Sequence, residues 1–491
     1  MADRPSPTAE PEAGSFRDPA GFVFQREGVL YRQVNRSFER KFSAVRESGL
    51  FDELARERLL VPHQEVGLEH AARPEAAAVL RPERVGFISY PYEWSFGQLK
   101  DAALLTLTVQ ERALERGFVL RDASAYNVQF SGGRPILIDT LSLEPREEGA
   151  PWLAYRQFCE HFLVPLLLMS RVDIGCGSLL RAHLDGIPLE LGSRLLPRRS
   201  WLRPGTLIHV HAHAGAQRRY ADAAPAVQVK NRPISRTAAI GLVHSLRGAI
   251  TRLSWEPSGT EWADYTRQHN YSDSAVASKR ELVARLLRGS SPKVVWDLGA
   301  NTGEYSRVAV EVAEQVIAFD IDPAAVERNY RAVRGANEQR ILPLLADLAN
   351  PSPALGWAHR ERQSLEQRGP ADALLALALV HHLAIGRNVP LERIAEFFSR
   401  LGRTLVIEFV PKSDSQVQRL LRSREDVFAD YHREGFEAAF GKHFSIEAAE
   451  PVSGTERVMY GMGRGDAGAQ GRGDAEAQGA HGAQGSQGAQ S

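Results

Sequence analysis

An acid, a glycine-punctuated loop and a second acid stand close together in this sequence, in an order suited to holding a nucleotide-like cofactor. The segment VVWDLGANTGEYS (Val294 to Ser306) runs from an apolar stretch closing on Asp297, through Gly299, Ala300, Asn301, Thr302 and Gly303, into a helical pattern. Strand, tight glycine loop, then helix is how a doubly wound α/β fold makes such a site at the carboxyl end of its first strand. Glycine is needed because the turn is tight and backbone must approach the ligand with no Cβ in the way. A second apolar run, Val316 to Phe319, ends on Asp320. An acid at the tip of the second strand is where a ribose with two free hydroxyls is gripped.

The spacing does not suit a dinucleotide. The pattern G-x-G-x-x-G is missing, and Asp297 stands immediately before the loop, where it repels a pyrophosphate but can hold a cationic amino acid moiety. Together these residues resemble the first motif of class I S-adenosylmethionine-dependent methyltransferases, with Asp320, followed by Ile321, as the ribose-binding acid. One departure is Asn301 at the middle glycine of that family's loop; asparagine tolerates positive φ better than most residues.

Further positions follow from the elements that must surround such a loop. A helix (Pro323 to Val333), strands (Ile341 to Ala346 and Ala373 to Val380), a helix (Leu391 to Arg400) and a strand (Thr404 to Phe409) continue the βαβ rhythm of a mostly parallel sheet. The third strand ends at Asp347 and Leu348, which the resemblance places against the adenine; a helix N-cap is the alternative for Asp347. The fourth, ALLALALV, is apolar throughout, marking a strand buried on both faces, and runs into His381 and His382. A histidine there could take a proton from an acceptor hydroxyl or amine, or both could be structural. Glu408 closes the fifth strand and faces the same cleft, with an ion pair to Lys412 as the alternative. Upstream, Tyr271 and Lys279 precede the first strand, where residues commonly fold over the cofactor; a solvated helix face is the simpler reading of Lys279. No metal is implied, because methyl transfer from a sulfonium mainly requires alignment.

The N-terminal half carries a different grammar. In GFVLRDASAYNVQFSGGRPILIDTLSLE a strand leads to Asp122, Asn127 follows five residues later, and a Gly-Gly hairpin returns to a strand ending in Asp139. This resembles phosphotransferases of the protein-kinase and aminoglycoside-kinase type, in which the first Asp orients an acceptor hydroxyl while the Asn and second Asp bind Mg²⁺ beside ATP. The departures are Thr140 and Leu141 in place of Phe-Gly, no glycine-rich phosphate loop, and Arg32 where a phosphate-pairing lysine is expected. Asx-turns would also explain the Asp and Asn residues. Separately, His209, His211 and His213 alternate with small or apolar residues and in a strand would share one face; without a fourth ligand a structural role is preferred.

At 491 residues the chain implies two or three domains. The expected division is a disordered N-terminus (1–18), an α+β domain of kinase-like grammar (19–235), a helical linker and cofactor-covering segment (236–290), a Rossmann-like methyltransferase domain (291–462) and a disordered Gly/Ala/Gln-rich tail (463–491). Lys and Arg equal Asp and Glu at 60 each, so no global charge signals nucleic acid or an anionic membrane. Two cysteines exclude a disulfide scaffold, the N-terminus has no apolar signal region, and no apolar run could span a bilayer, so a cytoplasmic protein is expected. Over roughly Phe16 to Met462 the chain resembles a bacterial family related to nodulation proteins of the NoeA type, identified as class I methyltransferases, through YPYEWSF, RDASAYNVQF, IDTLSLEP, AYRQFCEHFLVPLLL, VWDLGANTGEYS and LALALVHHL. The resemblance implies O- or N-methylation of an acceptor it does not name, small molecule or macromolecule. The alternatives are a phosphotransferase with an accessory methyltransferase-fold domain, or a non-enzymatic cofactor-binding scaffold.

Overall fold

A computed structural model describes residues 11–214, 233–257, 273–422 and 425–464. Tyr271, most of the 215–235 connection and the tail beyond Arg464 lie outside the described residues. By its internal contacts the chain divides into two units. The first comprises Met1–Ala263, Asp322–Leu345 and Pro353–Gln363; the second comprises Asp264–Ile321, Ala346–Ser352 and Ser364–Ser491. A single boundary near residue 290 therefore does not describe the chain, since two later stretches group with the N-terminal half.

The first unit begins with β1 (Gly21–Arg26) and β2 (Val29–Asn35), joined by Glu27 and Gly28, both at positive φ as a two-residue hairpin turn requires. After α1 (Glu39–Glu47) and α2 (Leu50–Arg56) come β3 (His63–Val66) and β4 (Ala76–Pro82), completing an antiparallel sheet in the order β1-β2-β4-β3. Phe22, Phe24, Tyr31 and Val79 form a buried cluster on it. The helix α3 (Phe96–Glu115) starts at a reciprocal cap between Ser95 and Gln98, which satisfies two of its first N–H groups. Beyond it, β5 (Phe118–Leu120) pairs with β8 (Leu143–Pro145), and β6 (Val128–Ser131) and β7 (Arg134–Leu137) form the hairpin expected from Gly132-Gly133. Residues 11–18, expected from composition to be disordered, are tied down: Glu12 N donates to Val23 O, Ser15 Oγ accepts from Val23 N, and Asp18 pairs with Arg121. The later stretches are fastened within this unit by Glu327 accepting from Gly97 N (2.8 Å), Gln98 Nε2 donating to Pro343 O (3.0 Å) and Tyr330 donating to Asp101 (2.7 Å).

Strands of the C-terminal half follow as β9 (Val294–Leu298), β10 (Gln315–Asp320), β11 (Ile341–Leu345, grouped with the first unit), β12 (Ala371–Ala376), β13 (Gly402–Phe409), β14 (Phe444–Pro451) and β15 (Val458–Arg464). Those of the second unit run β10-β9-β12-β13-β15-β14, parallel from β10 to β13 and antiparallel for β15 and β14. The chain leaves β9 to one side and later returns on its other side as β12. The carboxyl end of β9 is thus a switch point, where open α/β sheets leave a crevice. The α/β class is as expected, but the β14–β15 pair was not foreseen, and Gly463 and Arg464 complete β15 rather than opening a tail. Helices at Arg236–Thr251 and Asp273–Ser290 match the helical segments read before β9. Among the described residues no helix is long and apolar enough to cross a membrane.

Candidate functional site: the loop after β9

The loop after β9 is shaped by three residues in the left-handed region: Gly299 (φ 76°), Asn301 (φ 48°) and Gly303 (φ 80°). Asparagine accepts this conformation, and its Oδ1 takes a hydrogen bond from Thr302 N at 2.7 Å. A Cβ on Gly299 would lie 3.2 Å from Leu379 Cδ1 as well as strain the backbone. Gly299 N and Ala300 N both donate to Phe319 O, and Asn301 N donates to Asp320 Oδ2 at 2.7 Å. The second acid therefore braces the loop it was expected to accompany. Register puts Asp297 level with Ala318 on β10 and Leu375 on β12, so Asp297 and Asp320 sit at neighbouring strand ends.

Asp297 is buried, with Ser306 Oγ donating to its Oδ2 at 2.6 Å. Burial pushes its carboxyl up to about 7; the Asp320 charge adds to this, while the Ser306 hydrogen bond and Lys279 oppose it. A buried carboxylate with a pKa so raised is stabilised by any cation brought beside it.

The same unit holds a chain of charges, buried but for half-buried Asp414. Lys279 Nζ meets Glu408 Oε2 at 2.7 Å, Arg457 Nη1 lies 3.6 Å from Glu408 Oε1, and Arg457 Nε donates to Asp414 Oδ2 at 2.8 Å. Burial would raise the Glu408 carboxyl, but Lys279 and Arg457 outweigh it and hold it below its ordinary value. Lys279 also stands over the Tyr305 ring at 4.9 Å. Two expectations are thereby corrected. Lys279 is not on a solvated face, and Glu408 does not pair with Lys412, whose partner is Asp426 at 2.8 Å. Arg457, Asp414, Tyr305 and Ser306 escaped the sequence reading. Only Ser306 and Tyr305 carried a signal, being polar residues one turn into the helix that follows the loop.

The apolar run before the paired histidines is not strand to its end. β12 stops at Ala376, and Ala378 at φ 49° turns the chain aside. His381 then precedes a helical turn, His382–Gly386. The run misleads because a continuous apolar stretch reads equally as strand or buried turn. The two rings lie 4.1 Å apart. His381 is fully buried, with no hydrogen bond to either ring nitrogen among the described residues. Burial, with the charges of His382, Arg457 and Lys279, holds His381 well below its ordinary pKa, and burial then Arg457 lower His382 to about 4. Both imidazoles are neutral at pH 7. Asp347 Oδ1 accepts from Ala349 N at 2.9 Å in a turn, with Arg387 at 3.7 Å, and no helix follows it. Leu348 is half-buried and Ile321 exposed.

In the first unit, Asp122 and Asn127 line one cavity, together with Ser124 and His161, but Asp139 is not among its walls. Asp122 Oδ1 accepts from Ser124 N, making an Asx-turn. The Asp139 carboxylate is held by Arg32 Nη2 at 2.5 Å, by the Ser142 hydroxyl and by Leu141 N. The residue found in place of a phosphate-pairing lysine thus occupies the oxygens a Mg²⁺ ion would need. His209, His211 and His213 lie on a helical turn (Leu207–Ala212 and the residue after), not a strand. His209 bonds Tyr155 and Ser245, and His211 bonds Ser193 and Ser200. Among the described residues no group of three or more His, Cys, Asp or Glu side chains is placed to hold a metal ion.

No protein-family model matches the chain. Solved structures with local likeness include the N-methyltransferase NodS from Bradyrhizobium japonicum WM9 (TM-score 0.29, 10% identity, 40% of this chain and 99% of that one). Another is the magnesium protoporphyrin IX methyltransferase ChlM from Synechocystis PCC 6803 with bound SAH (TM-score 0.30, 18% identity, 42% of this chain and 94% of that one). Likenesses at these TM-scores say nothing about what this chain does. The nodulation protein NoeA of Rhizobium meliloti (strain 1021) is 37% identical over 471 residues, spanning 94% of this chain and 98% of that protein. Shared residues at that level over nearly the full length of both place the chain in the NoeA family of nodulation proteins.

Proposed function

We propose that the second unit binds S-adenosylmethionine and that the protein is a methyltransferase acting on an oxygen or nitrogen acceptor. The observation that carries the proposal is the pair of acids at neighbouring strand ends around a loop held open by Gly299, Asn301 and Gly303. Asp297 matches the cationic amino group of the cofactor's methionine moiety, since its buried carboxyl gains a counter-charge there. Asp320 matches the ribose hydroxyls, and Gly299 leaves the loop backbone without a side chain on the ligand side of the turn. Asp347 and Leu348 suit the adenine end. Bound S-adenosylmethionine supplies a methyl group already activated on a positive sulfur, so no metal is required.

For His381 and His382 we favour a structural role over proton acceptance: His381 is fully buried, and burial holds both imidazoles well below the pKa at which a general base works best. Lys279, Glu408, Arg457 and Asp414 act as positioning residues, fixing charge around the helix and strand that carry the site. For the first unit we favour ligand recognition over ATP- and Mg²⁺-dependent phosphotransfer, because Arg32 and Ser142 compete with metal for Asp139.

Calorimetry with S-adenosylmethionine and S-adenosylhomocysteine tests the assignment. Asp320→Ala should weaken both by ~1–3 kcal/mol, the cost of leaving ribose hydroxyls without a charged acceptor. Unchanged affinity in that variant would sink the cofactor site. Labelled S-adenosylmethionine in cell lysate then identifies the acceptor.

A further inference from the structure

The first unit carries an open-mouthed cavity of about 640 Å³, within the ~300–1,000 Å³ range of small-molecule sites. We propose that it binds a small neutral sugar or polyol. This site is separate in sequence and chemistry from the loop after β9 and does not rest on the methyl-transfer proposal.

The walls combine donors and acceptors of both charges. Arg17 Nε is spent on Glu361 Oε1 at 2.6 Å, with the Asp185 charge also near Arg17. Arg362 lies over the Tyr126 ring at 4.1 Å and donates from Nη1 to Glu361 O, while its Nε has no hydrogen-bond partner among the described residues. His161, on the helical turn Cys159–Leu163, is 2% exposed, and its Nδ1 likewise has no partner there. Burial, then the Arg362 charge, lower His161 to about 4, so its ring is neutral and carries one donor and one acceptor nitrogen. Asp122, Asn127 and Gln157 add a carboxylate and two amides.

That set discriminates between ligand classes. A phosphate or carboxylate would meet Asp122, Asp185 and Glu361 as well as Arg17 and Arg362, and an ammonium the reverse, so what either gains from one set is offset by the other. Hydroxyl groups both donate and accept, so one hydroxylated ligand can meet the Asp122 and Asp185 carboxylates and the Asn127 and Gln157 amides without bringing a charge of its own. Trp357 also lines the cavity and is 71% exposed, offering an indole face to the C–H side of a sugar ring.

Saturation-transfer NMR on the full chain tests this with a panel of neutral mono- and disaccharides and myo-inositol, with glucose 6-phosphate and choline as charged probes. Saturation of the ring protons of at least one neutral member is expected, with none for the two charged probes. Asp122→Asn and Trp357→Ala should each reduce the signal at least fivefold while S-adenosylhomocysteine binding stays as in the parent. Trp357 is exposed, so that variant carries the test even where Asp122→Asn folds poorly. No transfer to any neutral member, a signal that survives both substitutions, or preference for a charged probe would overturn the proposal. Absence of S-adenosylhomocysteine binding in the parent would count only against the methyltransferase reading.

Discussion

Replacing Asp297 by asparagine keeps the acceptor for Ser306 but removes a charge that is buried and raised to about 7. Two opposite effects follow. In the ligand-free protein, the folded state holds the Asp297 proton more tightly than the unfolded chain between about pH 4 and 7. Stability contributed by this group therefore falls as pH rises through that window and stays low above it. Three pH units at ~1.4 kcal/mol each correspond to ~4 kcal/mol, of which the buried amide of asparagine takes back ~1–3. Ligand-free Asp297→Asn should thus be ~1–3 kcal/mol more stable than the parent at pH 8. Cofactor binding moves the other way. The ionised fraction of Asp297 falls from roughly nine-tenths at pH 8 to one-tenth at pH 6, so parent affinity should drop ~10-fold between them. The variant should bind ~10–100-fold more weakly at pH 8, having lost a charged contact, and show no such pH dependence. Calorimetry with S-adenosylhomocysteine at pH 6, 7 and 8, beside thermal melts of the ligand-free proteins, measures all of this. A parent affinity flat over that range, or a ligand-free variant less stable than the parent at pH 8, refutes the reasoning.

Ser306→Ala should move the midpoint of the same pH profile upward, because the lost hydrogen bond favours the ionised carboxyl; a midpoint moving down contradicts the assignment. Lys279→Met removes the nearer of the two cations described beside buried Glu408 and should cost ~3–5 kcal/mol in denaturant unfolding. Lys279→Met with Glu408→Gln should recover part of that loss, and an equally unstable double variant would show that the pair is not coupled.

What was legible in the sequence is what local chemistry specifies. The loop from Asp297 to Gly303 could be read because positive φ restricts which residues stand there, and Gly299, Asn301 and Gly303 do. The Gly132-Gly133 hairpin and the helices before β9 were readable for similar reasons. Long-range pairings were not. Nothing near Lys279 signals that its helix face is covered, and nothing near Arg457 signals Glu408, which β15 brings close only by pairing with β13. The end of β12 was invisible because LLALALV contains no breaker, and the turn at Ala378 is imposed by tertiary context. The alternation of His209, His211 and His213 suggested a strand, but three residues at that spacing do not outweigh the helical turn that surrounds them.

The first unit is discontinuous in sequence, and this bears on its biosynthesis. Glu327 closes onto Gly97, and Pro343 onto Gln98, so the start of α3 acquires its last partners only after about 80 residues beyond Ala263 have been made. At ~5–20 residues per second a nascent chain waits several seconds with that end of α3 unsatisfied. A fragment ending near residue 263 carries the same defect permanently, so the N-terminal half matures with the whole polypeptide and not ahead of it.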